Sequence, residues 1–114
     1  MNNKSIKNIE SSMVLDMGGL VTYSQGQIVS MTIAQNQAVS LTLFAFDKDE
    51  EISTHESEGD ALVIALDGEG EITIEDKRFT LKKGESIVMP AKKPHAVKAT
   101  KRFKMFLVVV FPIT

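Results

Sequence analysis

The chain of 114 residues contains no cysteine and no tryptophan, and it has only three prolines. The lack of cysteine excludes disulfide bridges, thiolate metal sites and thiol nucleophiles, and it is typical of proteins in a reducing compartment. Any chemistry must therefore come from histidine, carboxylates, hydroxyl groups or a bound cofactor.

Long hydrophobic runs and an excess of basic charge are also missing. No apolar stretch approaches the roughly 18 residues of a membrane span, and the polar start of the chain lacks the apolar core of a secretory signal. The net charge of −2 argues against general binding to nucleic acid or anionic membranes. We expect a cytoplasmic protein that binds neither nucleic acid nor a membrane.

The charges that are present are separated along the chain. Residues 47–76 carry twelve acidic side chains and one lysine, whereas residues 77–104 carry ten basic side chains and one glutamate. We interpret the two stretches as neighbouring strands with opposite charges across them. The alternative is a patch that binds an acidic ligand.

A period of two, which is typical of strands, runs through almost everything after Gly26. It predicts one hairpin from residues 29–33 and 39–43, and a second from residues 61–66 and 71–75, with a tight turn at Asp67-Gly68. Further strands are predicted over residues 78–81 and 86–89. The fold class is therefore all-β, a single barrel or sandwich over residues 25–114. Residues 1–24 are predicted to form an arm that docks on the barrel or on a partner.

The last predicted strand, residues 105–111, is apolar on both of its faces. A small barrel can bury only the inward face inside itself, so the outward side chains need another cover. We expect a homodimer, with cover by the arm or by a second sheet as the alternative.

Two histidines are the strongest candidates for a functional site. His55 follows the acidic stretch, and His95 follows a turn bounded by Pro90 and Pro94. An imidazole can bind a metal ion, transfer a proton or hydrogen-bond a ligand.

The region around His95 resembles the second sequence motif of the cupin superfamily, which reads G-x5-P-x-G-x2-H-x3-N. Gly84, Pro90 and His95 stand at the spacing of that motif. Lys92 stands where the family often has glycine, and Ala99 where it often has asparagine.

The region around His55 is similar to the first cupin motif, G-x5-H-x-H-x3or4-E-x6-G, in a degenerate form. His55 and Gly68 match, but Ser57 replaces the second histidine, Ala61 falls on the glutamate and Asp49 on the leading glycine. The resemblance implies a small single-domain cupin, whose fold is a double-stranded β-helix, a barrel of the jelly-roll kind.

In cupins the histidines and the glutamate of these motifs hold a metal ion inside the barrel. Carried over to this chain, the resemblance leaves His55 and His95 as candidate ligands of one divalent ion, which would be iron, manganese, nickel or zinc. Two imidazoles make a weak site, because such ions need at least three protein ligands in most sites.

A carboxylate near His55 could complete the set only if the strand changed register. Side chains alternate across a strand, so His55, Ser57, Ala61 and Val63 are predicted to share one face. The opposite face is predicted to hold Glu56, Glu58 and Asp60. A β-bulge at Gly59 is the one device that would turn Glu58 or Asp60 inward.

Three functions follow from these residues. The first is a barrel that binds a small organic molecule, as a sensor or carrier, in a pocket lined by the ligand-binding candidates His55, Ser57, Ala61, Val63 and His95. The second is a metal-dependent enzyme, similar to cupin dioxygenases or isomerases. The third is a structural dimerisation module whose pocket is vestigial.

Overall fold

The computed structural model describes residues 5–113, and the all-β fold predicted from the sequence is confirmed. The first four residues of the predicted arm and the last residue of the predicted barrel lie outside the described residues. One 3-10 turn precedes seven strands: Met17–Leu20, then β1 Ile28–Gln35, β2 Val39–Phe46, β3 Glu51–His55, β4 Asp60–Ile74, β5 Lys77–Lys82, β6 Ser86–Met89 and β7 His95–Val110. Within residues 5–113 no helix is long and apolar enough to cross a membrane.

The two longest strands, β4 and β7, pair with each other along their whole length. The antiparallel register runs from Asp60 opposite Val110 to Ile74 opposite His95. It shifts twice in the middle, between Ala65 and Asp67 and again between Gly68 and Gly70. Irregularities of this kind bend a strand pair, so a single ribbon can turn from one wall of the barrel to the other.

Each half of the β4–β7 ribbon carries its own neighbours. The half that contains the start of β4 and the end of β7 is flanked by β2 and then β1 on one side and by β6 on the other. The other half is flanked by β3 and β5. The ribbon therefore joins two groups of strands, which is the arrangement of a jelly-roll barrel.

The turn predicted at Asp67-Gly68 is wrong, because β4 continues through both residues. Gly68 does adopt a positive φ of 72°, but it lies at the bend of the ribbon. A Cβ atom at Gly68 would overlap the carbonyl oxygen of Arg102 on β7. The glycine that suggested a hairpin turn is instead required by the close approach of two backbones.

The interior of the barrel is apolar and closely packed. Phe46, Phe103, Ile72 and Val63 are fully buried. Residues of both halves of the ribbon belong to this one cluster, so burial of apolar surface holds the two groups of strands together. The predicted inward face of β4 is seen in the buried residues Ala61, Val63 and Ala65.

A second apolar cluster lies between the outer face of β1 and β2 and the segment that precedes them. Ile9, Met17 and Leu20 pack there against a buried centre that includes Ile33 and Leu43. Polar contacts add to this packing, since the backbone amide of Lys7 donates to the Ile33 carbonyl and the Lys104 ammonium donates to the Gly18 carbonyl. The predicted boundary between arm and barrel at residues 24 and 25 stays a prediction.

The separated charges meet across strands, as the sequence predicted. Lys98 on β7 stands opposite Glu51 on β3 and also opposite Glu71 on β4. Glu69 on β4 stands opposite Lys82 on β5. The acidic and basic stretches therefore lie on neighbouring strands, and Arg102 of the basic stretch forms an ion pair with Asp47 of the acidic one, Nε to Oδ1 at 2.8 Å.

An apolar surface is left on the outer face of the first group of strands. The register places Val88 opposite Leu62, and Leu62 opposite Val108. Val88 is 52% exposed and Val110, two residues after Val108, is 53% exposed. These side chains include the outward face of the last strand, from which we predicted a homodimer. The face of a sheet can pack on a copy of itself across a twofold axis.

We expect a homodimer that buries this face, and the substitution Val88→Lys should weaken it at least about tenfold by placing a charge in an apolar contact. Light scattering after size exclusion measures the mass, which should be twice the 12.5 kDa of one chain for the native protein. Thr80→Lys on β5, an exposed position of the other group of strands, is the matched control. A native protein that stays monomeric at micromolar concentration would contradict the expectation.

Candidate functional site

His95 is the first residue of β7 and is buried, with 2% of its surface exposed. The turn before it is rigid, because Pro90 and Pro94 restrict the backbone and Lys92 adopts a positive φ of 63°. The Nδ1 atom of His95 lies 3.1 Å from the carbonyl oxygen of Lys93. A carbonyl oxygen only accepts hydrogen bonds, so this Nδ1 carries the proton and the ring is held in one orientation.

His55 is the last residue of β3 and reaches the same point from the neighbouring strand. Ile52 lies opposite Val97, and His55 lies opposite His95, so three steps along β3 match two along β7. This extra residue is a β-bulge, and it places Ile52 and His55 on the same side of β3. The bulge therefore brings the His55 ring, which is exposed, to His95 on the wall of a cavity.

The two imidazole rings meet edge to face, with their centroids 4.3 Å apart at an interplanar angle of 72°. Their Nε2 atoms lie 3.2 Å from each other. The Nδ1 atom of His55 lies 2.9 Å from the carbonyl oxygen of Ser53, so it also carries its proton. In two neutral rings both Nε2 atoms are then unprotonated, and two lone pairs point at one small region that a proton or another electrophile can fill.

This pair stands at the polar end of a cavity of about 270 Å³ inside the barrel. The remaining walls are mainly apolar and come from both groups of strands: Phe44, Ile52, Ala61, Met89, Val97, Met105, Leu107 and Val109. An apolar cavity with a few convergent polar groups is the usual form of a small-molecule site.

The rim of the cavity is built by two connections that are bonded to each other. Lys92 donates its backbone amide to the carbonyl oxygen of Ser57 at 2.8 Å. Ala91 donates its backbone amide to Asp60 Oδ1, also at 2.8 Å. These bonds join the β3–β4 connection to the turn before β7, so they fix His55 and His95 relative to each other.

The structure brings together four of the five residues predicted to bind a ligand, since His55, Ser57, Ala61 and His95 line the cavity. Val63 is fully buried in the adjacent core and is not among the lining residues.

Glu56, which alternation predicted to face away from His55, is among the residues that line the cavity. Alternation holds only within a strand, and β3 ends at His55, so residues 56–59 belong to no strand. No signal in the sequence marks the end of β3 at His55, because that end is set by the pairing of β3 with β7.

The bulge proposed at Gly59 is not where the irregularity occurs. Glu58 and Asp60 are both exposed, and the Asp60 carboxylate is engaged by the turn before β7. Neither carboxylate turns inward to the histidines.

The donor set can be compared with what a metal ion requires. Two nitrogen ligands of one ion, each roughly 2.1 Å away, lie about 3.0–3.4 Å from each other when the angle between them is about 90–110°. The Nε2 separation of 3.2 Å fits this range. The described residues nevertheless contain no group of three or more histidine, cysteine, aspartate or glutamate side chains that could hold an ion. The set is therefore incomplete for a resident metal held by the protein alone.

Comparison with known proteins places the chain among cupins. Residues 42–111 match the model of the cupin domain family. A conserved protein of unknown function from Streptococcus pyogenes is 44% identical, with 97% of each chain covered and a TM-score of 0.95.

Two further solved structures are similar. A cupin superfamily protein from Desulfitobacterium hafniense is 33% identical over 94% of this chain and 98% of that one, with a TM-score of 0.89. A cupin 2 conserved barrel domain protein from Leptotrichia buccalis is 44% identical over 81% of this chain and 45% of that one, with a TM-score of 0.79. No curated protein matches the chain significantly.

Lowering the pH from about 7.5 to about 5 is expected to reduce the free energy of unfolding through His95. Burial of the ring, and secondarily the nearby His55, lower the pKa of His95 in the folded protein. The unfolded chain then binds the proton at a higher pH than the folded chain does. Stability therefore decreases as the pH falls through the unfolded value of about 6.5, until the folded group also titrates. Urea unfolding at several pH values measures this slope, and a slope unchanged in His95→Gln would contradict the assignment.

Proposed function

Because the chain belongs to the cupin superfamily, we propose that it is a small-molecule-binding barrel that acts as a sensor or carrier. The observation that supports this most directly is the cavity of about 270 Å³, with apolar walls and an imidazole pair at one end. Apolar walls provide affinity for the body of a ligand, and the few polar groups orient it.

The proposed anchors of the ligand are His55, His95 and Ser57. Two of them are positioned by the backbone, since each Nδ1 atom is held by a carbonyl oxygen two residues earlier in the chain. The Ser57 hydroxyl accepts a hydrogen bond of 3.2 Å from the Gly59 amide. Groups that are already oriented before binding lose little conformational freedom when a ligand arrives, which favours binding.

The size of the cavity limits the ligand to a small molecule. Ligand sites in proteins usually enclose about 300–1,000 Å³, so this cavity of about 270 Å³ lies just below that range. The open space also counts against the purely structural alternative, which predicted a pocket plugged by the chain's own side chains.

A screen of small metabolites by thermal unfolding is expected to find compounds that raise the melting temperature of the native protein by several degrees. The double variant His55→Ala, His95→Ala should lose this increase because both imidazole anchors are gone. Ser57→Ala removes one anchor but keeps the imidazole pair, so it should retain part of the increase. A partial increase in this variant separates loss of binding from loss of folding. Compounds that stabilise the native protein and the double variant equally would contradict the proposal.

A metal-dependent cupin enzyme is the second candidate, and the convergence of the two Nε2 atoms at 3.2 Å is the observation that favours it. His55 and His95 would then be the protein ligands of an iron, manganese, nickel or zinc ion, and water or a substrate would have to complete the coordination.

Elemental analysis of protein purified without an affinity tag or chelator separates the two candidates. We expect far less than one metal ion per chain, because two imidazoles bind divalent ions weakly without a third protein ligand. Near-stoichiometric metal that disappears in His55→Ala would favour the enzyme instead.

A further inference from the structure

The polar end of the cavity presents acceptors of hydrogen bonds, and its chemistry limits what kind of ligand can bind there. This inference rests on the proposed function, since it concerns the ligand of the same cavity. Both Nδ1–H groups of the histidine pair are turned away to backbone carbonyl oxygens. The atoms that remain for an occupant are the two Nε2 atoms, and in neutral rings these can only accept.

Glu56 adds a third acceptor to the same end. It follows His55 in the chain and is among the residues that line the cavity, with its side chain also exposed. An ionised carboxylate only accepts hydrogen bonds and attracts positive charge.

Positive side chains do not contribute to the wall. Among the lining residues within 5–113, none is lysine or arginine, and the one side-chain hydroxyl, that of Ser57, can accept as well as donate. The lysines of the neighbouring turn, Lys92 and Lys93, are exposed and are not lining residues. An anionic group in this position would face lone pairs and a like charge, with almost no donors to bind it.

We infer that the ligand of this cavity is a small apolar amine, whose cationic ammonium group donates hydrogen bonds to the histidine pair and is attracted by the carboxylate of Glu56.

An ammonium group matches this environment in sign. It offers N–H donors to the two Nε2 atoms, and its positive charge is attracted by the Glu56 carboxylate on the cavity wall. The positive charge fills the region where the two lone pairs oppose each other. Because both Nδ1 atoms are bonded to carbonyl oxygens, the Nε2 atoms of the pair are left to accept from the ligand. The hydrocarbon part of the amine would lie against Met89, Met105 and the other apolar walls.

The test compares three probes that share one hydrocarbon chain and differ only in their head group: hexylamine, hexanol and hexanoate. Binding is followed by NMR of ¹³C-labelled methionine methyl groups at about pH 8, well above the usual histidine pKa. Met89 and Met105 line the cavity, whereas Met13 and Met17 line a separate apolar groove under the N-terminal segment. The methyl signals therefore report both the affinity and the place of binding.

Hexylamine is expected to shift the signals of Met89 and Met105 and to bind about tenfold more tightly than hexanol, with hexanoate weakest. Glu56→Gln should remove most of the preference for the amine over the alcohol, because the side chain keeps its size and loses its charge. Glu58→Gln changes a neighbouring exposed carboxylate that does not line the cavity, so it should leave the preference unchanged.

The failures of the two proposals are distinguishable. Hexanol or hexanoate shifting Met89 and Met105 at equal or lower concentration than hexylamine would overturn the amine inference and leave the binding function standing. Shifts confined to Met13 and Met17, or no shift with any probe, would overturn both. A preference for the amine that is lost equally in Glu56→Gln and Glu58→Gln would also overturn the inference. The preference would then come from the overall negative charge around the cavity and not from the Glu56 carboxylate.

Discussion

The pairing of β4 with β7 is the constraint on which the rest of the structure depends. Every other strand except β1 pairs directly with one of these two, and β1 is attached through β2. The bend in the ribbon needs a residue without a side chain at Gly68, where the Arg102 carbonyl approaches. At Gly70 a Cβ atom would come within 2.7 Å of the Phe103 ring, which fills the core beneath the bend. A bend made in this way lets one strand pair contribute to both walls, so the core, the cavity and the position of His95 all follow from it.

The candidate site depends on that ribbon and on one irregularity beside it. His95 is fixed by the start of β7, and His55 reaches it only because β3 contains a bulge. The same arrangement orients both rings through carbonyl oxygens, so the acceptor atoms face inward before any ligand is present. Cupins are known for metal ions inside the barrel, and this chain keeps two of the ligands in their motifs. The cavity consequently presents acceptor atoms, with Glu56 on its wall and, within residues 5–113, no lysine or arginine among the lining residues.

Several features of the site could be predicted from the chain alone, because motif spacing is a local property. The spacing of Gly84, Pro90 and His95 indicated the turn and the histidine at its end, and the resemblance around His55 indicated the second ring. Alternation along β4 correctly placed Ala61 and Val63 on the inward face. The rule failed for Glu56 because alternation holds only within a strand, and the end of β3 is decided by its pairing with β7 rather than by its own residues.

The sequence by itself determined that the chain is an all-β cupin barrel, that its opposite charges pair across strands and that His55 and His95 are the candidate polar residues. The all-β class and the placing of the charges depend on periodicity and composition along the chain, and the cupin family and the two histidines depend on the resemblance to its sequence motifs. The tertiary structure decided that Asp67-Gly68 is a bend within one long strand and that the bulge lies before His55. It also decided that Glu56 joins the cavity while Asp60 holds its rim. Each of these depends on backbone contacts between residues distant in the chain, and local propensity is the same for a glycine in a turn and a glycine under a crossing strand.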